Sequence, residues 1–128
     1  MATVADHMSR ELVRVDPDVT LEEAARAMAA RRVGSVLVFE GTRLVGILTE
    51  RDILRAVAEG HLQRAVREEM TPHPETIAPD DTVEHAGVLM IHGGFRHLPV
   101  VEAGEAVGIL SIRDLVAVSL ADAAPRGV

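Results

Sequence analysis

Val45-Gly46-Ile47-Leu48-Thr49-Glu50-Arg51-Asp52 is followed, 62 residues later, by Val107-Gly108-Ile109-Leu110-Ser111-Ile112-Arg113-Asp114. Six of the eight positions are identical, and the two stretches read as the end of a strand running into the start of a helix. Extended outward at the same offset, residues 1–62 lie over 63–124 without a gap, and sixteen positions match. The other ten are Val4/Val66, Met8/Met70, Pro17/Pro79, Asp18/Asp80, Thr20/Thr82, Glu22/Glu84, Ala24/Ala86, Met28/Met90, Val38/Val100 and Glu40/Glu102. Chance matches would drift in register, so a single offset marks two copies of one supersecondary unit with equal loop lengths. The expected organisation is a repeat over 1–62, a second over 63–124, and a small-residue tail over 121–128.

Each copy yields the same elements. Leu12–Val15 and Glu75–Ala78 alternate and stop at Pro-Asp, which is strand followed by turn chemistry. Thr20 and Thr82 stand as N-caps ahead of helical spacing at Leu21, Ala24, Met28 and at Val83, Ala86, Met90, giving helices of about 11 residues. Thr20-x-x-Glu23 is accepted as a plain capping pattern, and Arg31-Arg32 complement the end of the helix dipole. Strands are expected at Ser35–Glu40 and Arg43–Leu48, and again at His97–Glu102 and Ala106–Leu110, joined by Gly-containing hairpin turns. Apolar runs such as Val36-Leu37-Val38-Phe39 predict strands covered on both faces. A last helix starts at Thr49 or Ser111. The fold class is therefore α/β (α+β), written as tandem β-α-β-β-α repeats, with residues 59–71 read as a polar, mostly charged joint.

Composition bounds the function. The 128 residues are 48% apolar and 26% charged, which is a folded composition. Copies of about 60 residues are small for burying a core alone, so they are expected to pack together. The net charge is −7 and no stretch gathers Lys or Arg into the basic patch of a duplex-binding protein, so no nucleic acid partner is expected. There is no Cys, so disulfides and thiolate chemistry are excluded. No apolar run reaches the roughly 18 residues of a membrane span, and the first residues lack signal-peptide order. No membrane partner is expected, and a cytoplasmic location is the default. The six His residues, at 7, 61, 73, 85, 92 and 97, follow no metal-ligand spacing. No metal and no catalytic cofactor are expected.

The chemistry lies where the repeat is strictest. A helix N-terminus offers N–H donors to a phosphate, and the Thr49 or Ser111 hydroxyl can add another. Asp52 or Asp114, three residues on, presents two acceptor oxygens to the vicinal diol of a ribose. The same residues satisfy a capping box, which needs no ligand. The recurrence of Gly, hydroxyl and Asp in both copies, beside neighbours as different as Glu50 and Ile112, favours the binding reading. The copies diverge at Arg96-His97-Leu98-Pro99, where the first has Gly34-Ser35-Val36-Leu37; Arg can fork onto phosphate and His can add charge near neutral pH.

The Pro-Asp-x-Thr turn, the Gly-h-h-[Thr/Ser]-x-x-Asp element and Arg96-His97-Leu98-Pro99-Val100 together closely resemble the cystathionine beta-synthase (CBS) domain. The two copies resemble a CBS pair, or Bateman module, across about residues 4–120. The resemblance implies a stand-alone regulatory module that binds an adenosine-containing small molecule in clefts between the copies. AMP, ADP or ATP would be the regulatory ligand, with S-adenosylmethionine or a dinucleotide as the alternative. It assigns Asp52 and Asp114 to ribose hydroxyls, and Thr49 and Ser111 to phosphate or the ribose edge. Val15, Val36, Ile77 and Leu98, with Pro99 beside them, would line adenine, and Arg96 with His97 would reach phosphate. It further implies pseudo-twofold packing of the copies, a homodimer formed through helices, and output through an effector protein that the sequence does not name. An enzyme is not expected, because no P-loop or paired nucleophile and base is present. A ligand-free interaction module, whose boxes only cap helices, is the remaining rival.

Overall fold

The computed structural model describes residues 2–123. In chain order it contains α1 (Val4–His7), β1 (Arg14–Val15), α2 (Leu21–Arg31), β2 (Ser35–Glu40), β3 (Arg43–Thr49), α3 (Glu50–Glu59), α4 (Val66–Glu69), β4 (Thr71–Pro72), α5 (Val83–Gly93), β5 (His97–Glu102), β6 (Glu105–Ser111) and α6 (Ile112–Ala123). They gather into two compact units. The first unit is Leu12–Pro74; the second joins the residues up to Glu11 to those from Glu75 onward.

The first unit is a mixed sheet in the order β1-β2-β3-β4 with helices against it. β1 lies parallel to β2, with Arg14 opposite Leu37, because α2 carries the chain back across the sheet between them. β2 and β3 form an antiparallel hairpin with a bulge at Val38/Phe39. Leu21, Ala24 and Met28 of α2 close with Val36, Val38 and Leu48 over one core. Thr20 Oγ1 accepts the Glu23 N–H at 3.1 Å, so the helix begins where its N-cap was read.

The second unit repeats this plan. β5 and β6 pair antiparallel with the bulge at Val100/Val101, 62 residues after the first. Leu98, Val100 and Leu110 pack with Ala86 and Met90 of α5. The strand expected at Glu75–Ala78 shrinks to one parallel bridge, Ile77 to Val100, with the Ile77 N–H on the Pro99 carbonyl at 3.1 Å. The other five expected strands stand within two residues of their expected limits, and the four long helices begin within a residue of their expected starts. α6 continues through Ala121 to Ala123, and the rest of the expected tail, 124–128, lies outside the described residues.

The joint at 59–71 is corrected by the structure. It contains α4 and leads into β4, and its Val66 is fully buried in the first core. Val66 and Met70 are four apart and share the buried side of this single turn, while Arg67 and Glu68 remain outside. The counterpart in the second unit is α1, whose Val4 is fully buried against Ile77 and Leu110. β4 pairs Thr71 with Ile47 in the first unit, and Ser9 pairs with Ile109 in the second. Each unit therefore takes its last sheet position from the segment that precedes the other copy's main body.

These segments explain the repeated glycine, Gly46/Gly108, and one of the two repeated methionines, Met8/Met70. A Cβ on Gly46 would strike Met70 and lie 3.1 Å from the Thr71 carbonyl oxygen; on Gly108 it would strike Met8 and lie 2.9 Å from the Ser9 carbonyl oxygen. The thioether could yield, but the neighbouring backbone is tied into the sheet. Gly108→Ala is expected to cost about 1–3 kcal/mol through overpacking, read as a lower urea midpoint with unchanged slope.

Candidate functional site

The first helix donors decide what the α3 and α6 N-termini can offer. At α3 the Thr49 N–H donates to Asp52 Oδ2 at 2.9 Å and the Thr49 hydroxyl donates to the same oxygen at 3.1 Å. The Asp52 N–H returns to Thr49 Oγ1 at 3.4 Å, completing a reciprocal capping box. At α6 the Ser111 N–H and hydroxyl reach Asp114 Oδ2 at 2.7 and 3.0 Å, and the Asp114 N–H reaches Ser111 Oγ at 3.3 Å. One further donor is used in each case. The Glu50 N–H bonds the Gly34 carbonyl at 3.0 Å, and the Ile112 N–H bonds the Arg96 carbonyl at 2.8 Å.

The helix starts are thus more occupied than a phosphate cradle built on free N–H groups requires. The Thr49 and Ser111 hydroxyl protons point inward to the carboxylates. The capping role expected as the rival reading is realised in both copies, yet it consumes only one oxygen of each carboxylate, Oδ2. What becomes of Oδ1 separates the two copies.

Asp114 Oδ1 has no hydrogen-bond or ion-pair partner among the described residues, and the residue is half-buried. Asp52 Oδ1 accepts from Arg55 Nη2 at 3.0 Å, and the Asp52 side chain is only 11% exposed. Arg55 also faces Glu69 Oε2 at 3.7 Å, and Glu69 in turn meets Arg64 at 3.6 Å and His61 at 3.5 Å. At the register position of Arg55 the second copy has Ala117, and at that of Glu69 it has His7.

Arg96 precedes β5, and its carbonyl clasps the first N–H of α6, so its backbone stands at the same helix start as Ser111 and Asp114. Its exposed guanidinium makes no ion pair among the described residues, so the pairing with an acidic neighbour that would have made it an ordinary surface residue is absent. His97 is half-buried and sits opposite Ser111 in the β5–β6 register. The structure thus brings Arg96, His97, Ser111 and Asp114 together at one end of β5, β6 and α6, while Thr49 and Asp52 form the corresponding end of the first unit.

The apolar residues expected around adenine are differently placed. Val36, at 1% exposure, belongs to the first core, and Leu98 and Ile77, at 0% and 4%, belong to the second. Pro99 is fully buried as well. Val15 alone of these five keeps accessible surface. The sequence reading missed Arg55; the available signal was a cation three residues after Asp52 where the second copy has an Ala. No group of three His, Asp or Glu suited to a metal ion occurs among the described residues.

Comparison with known proteins follows this geometry. The model of the CBS domain matches residues 4–59 and again 66–121, two spans offset by the same 62 residues. The CBS domain-containing protein YhcV of Bacillus subtilis is 38% identical over 117 residues, which cover 90% of this chain and 84% of YhcV. The CBS domain pair of protein MJ0100, solved in complex with 5′-methylthioadenosine and S-adenosyl-L-methionine, has a TM-score of 0.89 at 25% identity, with 95% of this chain and 98% of that one covered. CBSX2 of Arabidopsis thaliana, solved in complex with AMP, has a TM-score of 0.79 at 27% identity, with 97% and 100% covered.

The cap geometry carries its own prediction. Ser111→Ala and Thr49→Ala each remove one capping acceptor and are expected to lower stability by about 1 kcal/mol, measured by urea denaturation without any ligand.

Proposed function

The chain belongs to the CBS domain family, holding two tandem copies, and on that premise we propose that it is a regulatory module that senses adenine nucleotides, with AMP, ADP or ATP as its ligand. The observation that carries this reading is the open Oδ1 of Asp114 at the helix start whose first N–H is held by the carbonyl of Arg96, a residue whose guanidinium makes no ion pair among the described residues. A carboxylate oxygen with both lone pairs open accepts from the two hydroxyls of a ribose, and an unpaired guanidinium forks onto a phosphate. Ribose and phosphate stand next to each other in a nucleotide. The capping bonds hold Oδ2 and so fix the direction in which Oδ1 points before any ligand arrives.

The ligands in the two structurally similar complexes, AMP and the methylthioadenosine and S-adenosylmethionine pair, share an adenosine. Adenosine recognition is common to them, and Arg96 is what selects a 5′-phosphate over a 5′-sulfur. Asp52 and Asp114 are each bound into a helix cap in a separate unit, which suits binding groups and not a cooperating acid and base. The module therefore reports occupancy as a change of shape. A second copy of the chain receives the signal through the apolar residues left exposed on α5 and α6, Ile91 at 79% and Leu120 at 67% among them. An effector protein reads the result.

Two measurements test this. A ligand at a hundred times its Kd adds about 2.7 kcal/mol to the native state, so AMP, ADP or ATP is expected to raise Tm by several degrees. S-adenosylmethionine is expected to do so less. Asp114→Asn keeps a carbonyl oxygen for the cap but turns an NH2 donor toward the ribose; it is expected to abolish the shift while leaving the ligand-free Tm within a few degrees. Absence of any shift with the whole panel returns the chain to a structural interaction module. For the dimer, Ile91→Glu combined with Leu120→Glu is expected to give a monomer in sedimentation velocity where the wild type sediments as a dimer.

A further inference from the structure

The two copies carry the same Gly, hydroxyl and Asp, yet one Asp is already occupied. Asp52 uses three of its roughly four acceptor positions inside its own unit: two at Oδ2, from the Thr49 N–H and hydroxyl, and one at Oδ1, from Arg55. Asp114 uses two. A vicinal diol needs two, so Asp114 can serve it and Asp52 cannot. The charges point the same way. Arg55 neutralises Asp52 at 3.0 Å, which weakens the carboxylate as an acceptor for neutral hydroxyls. Asp114 has no such cation one helical turn on, where the residue is Ala117.

Arg55 is also held from behind. Glu69, 12% exposed and itself braced by Arg64 and His61, lies 3.7 Å from the same Nη2 that bonds Asp52. Swinging Arg55 away would break a charge-assisted bond and leave the largely buried Asp52 carboxylate without its cation, which is costly. In the second copy the braces are gone as well as the cation, since His7 stands where Glu69 would be.

We infer that Arg55 is a specificity-determining residue that withholds Asp52 from ligand, so that only the Asp114 half of the pair takes a ribose. This inference rests on the adenosine reading above. It makes the duplicated module asymmetric: one copy binds, while the other carries an internal guanidinium in place of a ligand.

Isothermal titration of AMP into the full chain tests it with two reciprocal variants, each borrowing its residue from the other copy. Wild type is expected to bind one AMP per chain. Arg55→Ala is expected to bind a second. Ala117→Arg, on the exposed side of α6, is expected to weaken the remaining site by about tenfold or more, the worth of one charge-assisted hydrogen bond. Two equivalent AMP sites in wild type, or an Arg55→Ala protein that binds less tightly and gains no site, overturns the role given to Arg55 and leaves the adenosine reading standing. AMP binding by neither wild type nor Arg55→Ala overturns both.

Discussion

One carboxylate oxygen ties each hairpin to the helix that follows it. Asp52 and Asp114 reach back one turn to the amide and hydroxyl of the residue on which the last strand ends, and the first amide of the helix bonds the carbonyl ahead of the hairpin's first strand. Strand start, strand end and helix start are thereby locked in one small ring of polar contacts at an otherwise apolar sheet. Anything a ligand meets at this end of the unit is oriented by that ring. On the proposed function, capping and recognition are consequently not competing uses of Asp114: the cap takes one oxygen and aims the other, lowering the entropy that a ligand would otherwise remove.

Most of the fold was legible because the evidence for it came twice. A Thr before a helical pattern, or a Gly near a hairpin, is weak alone; the same feature at a fixed offset is strong. The long helices and both hairpins followed from that. What escaped the reading was short or non-local. α1 and α4 are single turns, too brief for apolar periodicity to register, although the Val4/Val66 and Met8/Met70 identities marked them. That these segments serve the opposite copy's sheet could not be read at all, since either partner would satisfy the same residues.

The site was legible in its residue types and not in its occupancy. Thr49, Asp52, Ser111 and Asp114 lie where the motif puts them, but identical motifs do not reveal that one carboxylate has an arginine on it. A helix-surface Arg is unremarkable until its geometry toward Asp52 and Glu69 is seen. The apolar positions are legible as strand and core residues, not as a ligand surface. Val36 and Leu98 lie in near-continuous apolar runs, and the runs that mark them as strand residues also bury them in the cores of their units.

The crossed segments bear on how the chain matures during synthesis. The first unit is complete once Pro74 has emerged, since every strand and helix it needs has by then been made. Residues 4–9 are made before the first unit, yet their partners, Asp81, Val100 and Ile109 among them, are made after it. Val4 and Met8 therefore stay uncovered until chain beyond the first unit has been translated. Closure of the second unit joins segments that lie on either side of the first unit in the chain.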